Sequence, residues 1–312
     1  MVTLLVLIGG ILFFRQDILD WTKLYNYTPP PVVSTIAADT TMTDTARHLF
    51  YVNHPAVTRG TAFLGHCPAG TEKTVVLGCY IGNDQGIYIY DITDTRLNGV
   101  EQVTAAHEML HAAYARLSSS ERKNVDAMLT SYYTNELTDQ RIKDTIEAYK
   151  KSEPKDVVNE MHSIFGTEIA DLPVGLETYY KRYFTNRDAV TTYTATYQAE
   201  FTSRQNQVAT YDSQLKGLKD QIDANQAQLV SQRNALDIQS KRMQAQRSSG
   251  DTTGYNDEVS AYNRGVVAYN ALLNETKKMI NQYNDIVTVR NQIALEEQEL
   301  AKQLSASSVT DQ

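Results

Sequence analysis

The sequence predicts an α+β protein that is predominantly helical, with a small antiparallel sheet followed by a long antiparallel coiled-coil hairpin. Two short apolar segments in the first third of the chain indicate strands. From Val103 onward apolar residues recur at helical spacing, and beyond residue 200 they recur every seven residues. A chain of 312 residues can hold one or two cores and an extended appendage.

The two strand segments are residues 74–81 and 86–92, and the turn-forming sequence Gly-Asn-Asp-Gln-Gly joins them. In the second segment Ile87 and Ile89 alternate with tyrosines, so that one face is expected to be buried. Together the segments predict a β-hairpin.

The helical region is divided by capping and breaking residues. Thr43 and Asp44 are expected to cap a short helix that ends near Phe50. The sequence from Leu117 to Glu121 ends one helix and caps the next. Further helices are predicted at 119–134, 139–151 and 155–165, with Gly166 ending the last and a longer helix starting near Leu176.

The last third of the chain carries two heptad seams separated by a glycine-bearing turn near residues 247–254. The first seam consists of Phe201, Val208, Leu215, Ile222, Leu229, Leu236 and Met243, and the second of Val259, Val266, Leu273, Ile280 and Val287. Two seams of similar length joined by a turn predict an antiparallel hairpin. Parallel pairing between two chains is the alternative, and it would leave the turn without a role.

The charge of the chain bears on its partners. A net charge of -8 leaves no basic stripe to displace counterions from a phosphate backbone, so we expect no nucleic-acid partner.

Residues Val2 to Phe14 form an almost unbroken apolar run. At helical rise, a run of this length reaches roughly 20 Å, short of the roughly 30 Å hydrocarbon core. We interpret it as an uncleaved N-terminal membrane anchor with an interfacial segment, and a buried core helix is the alternative. Arg15 and Lys23 follow the run, which under the positive-inside rule favours a cytoplasmic position for the rest of the chain.

Cys67 and Cys79 indicate the opposite side of the membrane. A turn-rich stretch separates them, and the second lies in a strand-like segment. Such a pair suits a disulfide that closes a short loop in an oxidising compartment, although two unrelated buried thiols are the alternative. We therefore expect a location at the cell membrane, with the domain on the extracytoplasmic side.

The chemically informative motif is His107-Glu108-Met109-Leu110-His111. Residues four apart lie on one face of a helix, so both imidazoles can bind one Zn²⁺ while Glu108 reaches a zinc-bound water. Glu108 is then expected to take a proton from that water and pass it to the leaving amine. Alanine and leucine neighbours predict a buried helix, where such a polar cluster is costly unless a metal occupies it.

This motif resembles the zinc-binding motif of the zincin superfamily of metallopeptidases. Downstream, the segment from Asn159 to Ser163 (NEMHS) resembles the Asn-Glu-x-x-Ser segment with which gluzincins supply a glutamate as third ligand. The resemblance covers roughly residues 74–170 and leaves the coiled coil outside. It implies a zincin active-site helix with His107 and His111 as zinc ligands, Glu160 as third ligand and Glu108 as catalytic carboxylate.

The resemblance has one further implication, and the chain departs from the family pattern at one position. The strand Gly86 to Ile92 would be the edge strand on which a peptide or protein substrate pairs. The fourth position after Glu160, where the family often has an acid that orients a zinc histidine, is Ile164 in this chain.

The residues alone leave the third ligand open. On a helical wheel Glu160 and His162 flank the buried stripe of their helix about equally, on opposite sides. If Glu160 binds the metal, His162 is free to act as a transition-state donor. Glu168 is a weaker alternative ligand, and the tyrosines of the segment 177–183 are alternative oxyanion donors.

These features predict four segments: a membrane anchor at 1–28, a proline-rich spacer at 29–41 in which no helix is possible, a zincin-like domain at 42–190 and the hairpin at 191–312. The function expected is a membrane-anchored zinc metallopeptidase whose coiled coil is a spacer or docks a protein partner. The alternatives are a surface interaction protein with a relic zincin domain and a zinc hydrolase that does not cleave peptides.

Overall fold

The structure, a computed structural model, describes residues 15–68 and 77–304. Its helices are α1 (Arg15–Leu24), α2 (Pro31–Asp39), α3 (Asp44–Tyr51), α4 (Gly60–Leu64), α5 (Val100–Ala115), α6 (Ser119–Asn135), α7 (Gln140–Ser152), α8 (Val157–Glu168), α9 (Val174–Tyr180), α10 (Arg187–Ser249) and α11 (Thr252–Gln303). Its strands are β1 (Ala56–Thr58), β2 (Gly78–Ile81) and β3 (Gly86–Tyr90). The predicted class, α+β and predominantly helical, is confirmed at this level.

The chain divides into two compact units. One unit comprises the described residues up to 200 together with residues 299–304, and the other comprises residues 201–298.

The sheet is mixed and has the strand order β1-β3-β2. The predicted hairpin is present: β2 and β3 are antiparallel, with Cys79 opposite Tyr88. Its turn contains Asn83 and Asp84 in the left-handed conformation, which these two residue types tolerate best after glycine. The prediction of a purely antiparallel sheet is wrong, because β1 adds parallel to the other side of β3. At three residues β1 is too short to show a period in the sequence.

Helix α5 is the centre of the first unit and packs on β2 and β3 as well as on α8. Its small side chains, such as the fully buried Ala105 and Ala112, let these neighbours approach closely. One tight contact with α8 is at Gly166, where an added Cβ would lie 2.5 Å from Leu110 Cδ1. The prediction that Gly166 ends α8 is therefore wrong: the helix continues to Glu168, and the glycine is required by packing.

The prediction that no helix is possible in the proline-rich segment 29–41 is wrong. Helix α2 begins at Pro31, because proline fits the first helical position, where no N–H is needed. It contributes Val33, Ile36 and Ala37 to the main core.

The long helix pair of the second unit is present as predicted. Gly250, with φ 79°, lies at the turn between α10 and α11. The two helices run antiparallel, since Arg290 Nε donates to Asp212 Oδ1 at 2.9 Å and Gln246 Nε2 donates to Glu258 Oε1 at 3.4 Å. Every residue of the two predicted seams is buried or half-buried.

The prediction of a membrane anchor, and of a location at the membrane, requires correction. Of the helices in the described part of the chain, none combines the length and the apolar character needed to cross a membrane. The apolar run Val2 to Phe14 lies outside the described residues.

The stretch expected to lie at a membrane interface forms helix α1, which packs on the rest of the first unit through the buried Asp20. Asp20 accepts hydrogen bonds from Arg116 Nη2 at 2.8 Å and lies 2.8 Å from His48 Nε2. Burial raises the pKa of Asp20, but the bonds from Arg116 and His48 outweigh it and hold the pKa below its ordinary value.

Candidate metal centre

Helix α5 places His107 and His111 one turn apart, with their ring centroids 4.7 Å from each other. The carboxylate of Glu160, in the first turn of α8, faces both rings. His107 Nε2 lies 3.6 Å from Glu160 Oε2, and His111 Nε2 lies 3.4 Å from Glu160 Oε1. One ligand atom from each residue lies within 4.8 Å of the other two, so the three form a group that can hold a metal ion.

The state of the Glu160 carboxylate supports a cation at this position. Glu160 is 8% exposed, and its buried Oε2 has no partner at hydrogen-bond distance among the described residues, since His107 Nε2 is 3.6 Å away. An unsatisfied buried carboxylate oxygen is costly unless a cation or donor meets it. Burial raises the pKa of Glu160, but the facing imidazoles of His107 and His111 outweigh it, so the carboxylate is held ionised.

Glu108 lies beside the group without belonging to it, because adjacent helical residues point about 100° apart. It faces strand β2, where the backbone of Tyr80 hydrogen-bonds to its carboxylate. Gly78 makes this approach possible: an added Cβ there would lie 3.0 Å from Glu108 Oε1. Burial, helped by the charge of Glu160, raises the pKa of Glu108 to about 7, a value suited to proton exchange near neutral pH.

The structure brings Glu160, and not His162, to the two histidines. His162 lies in the core, where its Nε2 is 2.8 Å from Tyr179 Oη. Burial lowers the pKa of His162 to about 3, so it is neutral there. Tyr180 and Tyr183 surround the same imidazole, so these tyrosines do not reach the metal group. Glu168 pairs with Arg141 at 2.6 Å.

Two hydroxyl groups support the ligand residues. The sequence places Ser163 in the segment that resembles the gluzincin motif, but it predicts no contact for Ser163 or Tyr149. Ser163 Oγ lies 3.3 Å from His111 Nδ1, and the Tyr149 hydroxyl on α7 hydrogen-bonds to Glu160. Ser163 is one helical turn after Glu160, so the i, i+3 spacing was a usable signal. The sequence around Tyr149 does not indicate a place in the site, because only the packing of α7 against α8 brings this residue there.

The group opens into a cleft of about 580 Å³. Strand β2 forms one wall through Gly78 and Tyr80, and the opposite wall contains Tyr149, Asp156 and Asn159. Among the described residues that line the cleft there is no lysine or arginine. The site is therefore open to a molecule much larger than water, in surroundings rich in carboxylates.

The predicted disulfide between Cys67 and Cys79 is confirmed, with the two Cα atoms 5.8 Å apart. Cys79 lies in β2, and Cys67 belongs to a small core with Phe63 and Tyr90 on the other face of the sheet. The bond thus ties the strand that lines the cleft to the segment after α4.

Comparison with models of known protein families, with curated proteins and with solved structures finds no match to this chain.

Proposed function

We propose that this chain is a zinc-dependent metallopeptidase of the zincin type, similar to the gluzincins in its ligand set. One observation carries the proposal: two imidazoles one turn apart and a carboxylate from a second helix converge beside a further buried carboxylate, in an open cleft. Two histidines and one glutamate form a known ligand set of catalytic zinc, and three protein ligands leave a coordination position free for substrate or water.

The residues fit a zinc ion on two counts. Imidazole nitrogen and carboxylate oxygen are ligand atoms that zinc prefers. Glu160 Oε2, which has no partner at hydrogen-bond distance among the described residues, gains one when a cation binds. His107, His111 and Glu160 would hold the ion. When bound, zinc acidifies water and polarises a peptide carbonyl group.

The role of Glu108 in this proposal is to carry a proton. Its carboxylate is buried, contacts the backbone of Tyr80 and lines the cleft. A carboxylate with a pKa near 7 can accept a proton from the attacking water and return it to the leaving amine. A glutamine at this position keeps the size of the side chain but cannot take up the proton.

The substrate is proposed to be a peptide or a protein segment that pairs with β2. The strand expected to receive it was residues 86–92, but β3 lies in the middle of the sheet and both of its edges are occupied. In the described part of the chain, β2 is an edge strand with no further strand beside it, and it also lines the cleft. An extended peptide added at this edge would run past Glu108 and the ligand group.

The hairpin suits a separate role as a spacer or a docking arm for a protein partner. Several large apolar side chains outside the seams are exposed, among them Val230, Ile238 and Val267. They also favour the second candidate function, an interaction protein that acts through its hairpin alone. The two functions differ in one respect that is easy to measure, since only the first needs a metal.

Metal content of the purified full-length protein tests the ligand set. We expect one zinc per chain in the wild type, and no stoichiometric zinc in His111→Ala or Glu160→Ala, because removing one of three ligands costs affinity many-fold. His162→Ala is the matched control from the same helix, and it should keep its zinc. Full zinc occupancy in Glu160→Ala would contradict the ligand set.

A further inference from the structure

The second ring nitrogen of His111 has a specific neighbour. His111 turns Nε2 toward Glu160, and its Nδ1 lies 3.3 Å from Ser163 Oγ. Both side chains are buried, and Ser163 is inaccessible to solvent. In these surroundings the serine, and not bulk water, meets Nδ1.

A third group favours one direction for the hydrogen bond in this contact. Ser163 Oγ also lies 3.4 Å from the backbone carbonyl oxygen of Asn159, which can only accept a hydrogen bond. The hydroxyl proton of Ser163 therefore points to Asn159, and its lone pair is left for His111. The contact is satisfied when His111 carries its N–H on Nδ1, which then donates to Ser163 and leaves Nε2 for a cation.

The tautomer selected in this way is the one that metal binding requires. An imidazole ligates a cation through an unprotonated nitrogen, and which nitrogen that is depends on the hydrogen bond made by the other. Because Ser163 and Glu160 are three residues apart on α8, one face of this helix supplies a ligand and also orients the ligand on α5.

We propose that Ser163 is a positioning residue of the metal centre, which holds His111 in the Nδ1–H tautomer with the Nε2 lone pair directed at the position between His107 and Glu160. The inference rests on the proposed function only in taking His111 as a metal ligand. The geometry of the contact stands without it.

Zinc affinity of the full-length protein, measured by competition with a chelating dye, provides the first test. Ser163→Ala removes one oxygen from the buried contact and should weaken zinc binding about 10- to 100-fold. Thr167→Val is the matched control, because Thr167 is a buried hydroxyl on the same helix that donates to the Ser163 carbonyl oxygen at 2.8 Å and not to His111. It should leave the zinc affinity unchanged.

A second readout is the ring N–H of His111 in the zinc-loaded protein, observed by ¹H–¹⁵N NMR. In the wild type the Nδ1–H proton should be hydrogen-bonded and should exchange slowly with solvent, and in Ser163→Ala it should exchange faster. This readout needs only the wild type if Ser163→Ala fails to fold, and a rapidly exchanging Nδ1–H in the zinc-loaded wild type would overturn the proposal.

The outcomes separate the two proposals. A wild type that binds no zinc refutes the proposed function, and the role of Ser163 is refuted with it. A wild type that binds zinc, together with a folded Ser163→Ala variant of equal affinity, refutes the role of Ser163 and leaves the proposed function standing.

Discussion

The candidate metal centre and the coiled-coil hairpin are built in opposite ways. The centre depends on a few side chains from two helices, placed by tight packing such as that of Gly166 against Leu110. The hairpin depends on a seam that repeats every seven residues along α10 and α11, where no single position is decisive. A single substitution should therefore change the free energy of unfolding much more in the first region than in the second.

Glycine to alanine substitutions test this difference with the same chemical change in both regions. Gly166→Ala in α8 should destabilise the protein by about 1–3 kcal/mol through overpacking. An added Cβ would meet Leu110 Cδ1 at 2.5 Å and Tyr180 Cε1 at 2.8 Å. The gain in helix propensity, about 1 kcal/mol at most, is too small to offset these contacts.

The consequences of Gly166→Ala should also reach the metal centre. If α8 moves away from α5, it carries Glu160 with it, so zinc affinity should fall together with stability. Urea unfolding and zinc titration of the same samples measure both effects. An unchanged free energy of unfolding would show that the contact at Gly166 is looser than described.

Gly217→Ala in α10 is the counterpart in the hairpin, and we expect a small effect of opposite sign. Apart from its chain neighbours and the backbone of its own helix, no described atom lies within 4 Å of a Cβ added at Gly217, so only the helix propensity changes. The variant should be more stable by about 0.5–1 kcal/mol and should bind zinc as the wild type does. Urea unfolding provides the measurement, and a loss of stability would contradict the expected difference between the two regions.

The two regions also differ in how much of them could be predicted. The seams of the hairpin and the pair His107 and His111 are encoded within single helices, and their spacing alone indicates them. The third ligand could not be chosen, because Glu160 and His162 flank the buried stripe of α8 equally. Only the packing of α8 on α5 decides that Glu160 faces the histidines while His162 faces the tyrosines.

The remaining errors share this dependence on packing. Strand β1 is too short to be periodic, and its parallel pairing moves β3 from the edge of the sheet to the middle. The sequence predicts that Pro31 and Gly166 interrupt helices. In the structure Pro31 begins α2, and Gly166 lies inside α8, where it permits a close contact with α5. Residues that favour a break locally are retained where the tertiary structure requires their shape.

The most direct test of the central claim is the peptide hydrolysis rate of the full-length Glu108→Gln variant, measured with the wild type on a broad set of peptides. The variant should fold and bind one zinc per chain, since Glu108 is not in the ligand group. Its hydrolysis should be slower by about 10²–10⁴-fold, which is the usual contribution of a general acid–base residue. A variant that cleaves peptides as fast as the wild type would contradict the claim that Glu108 and this metal centre hydrolyse peptide bonds.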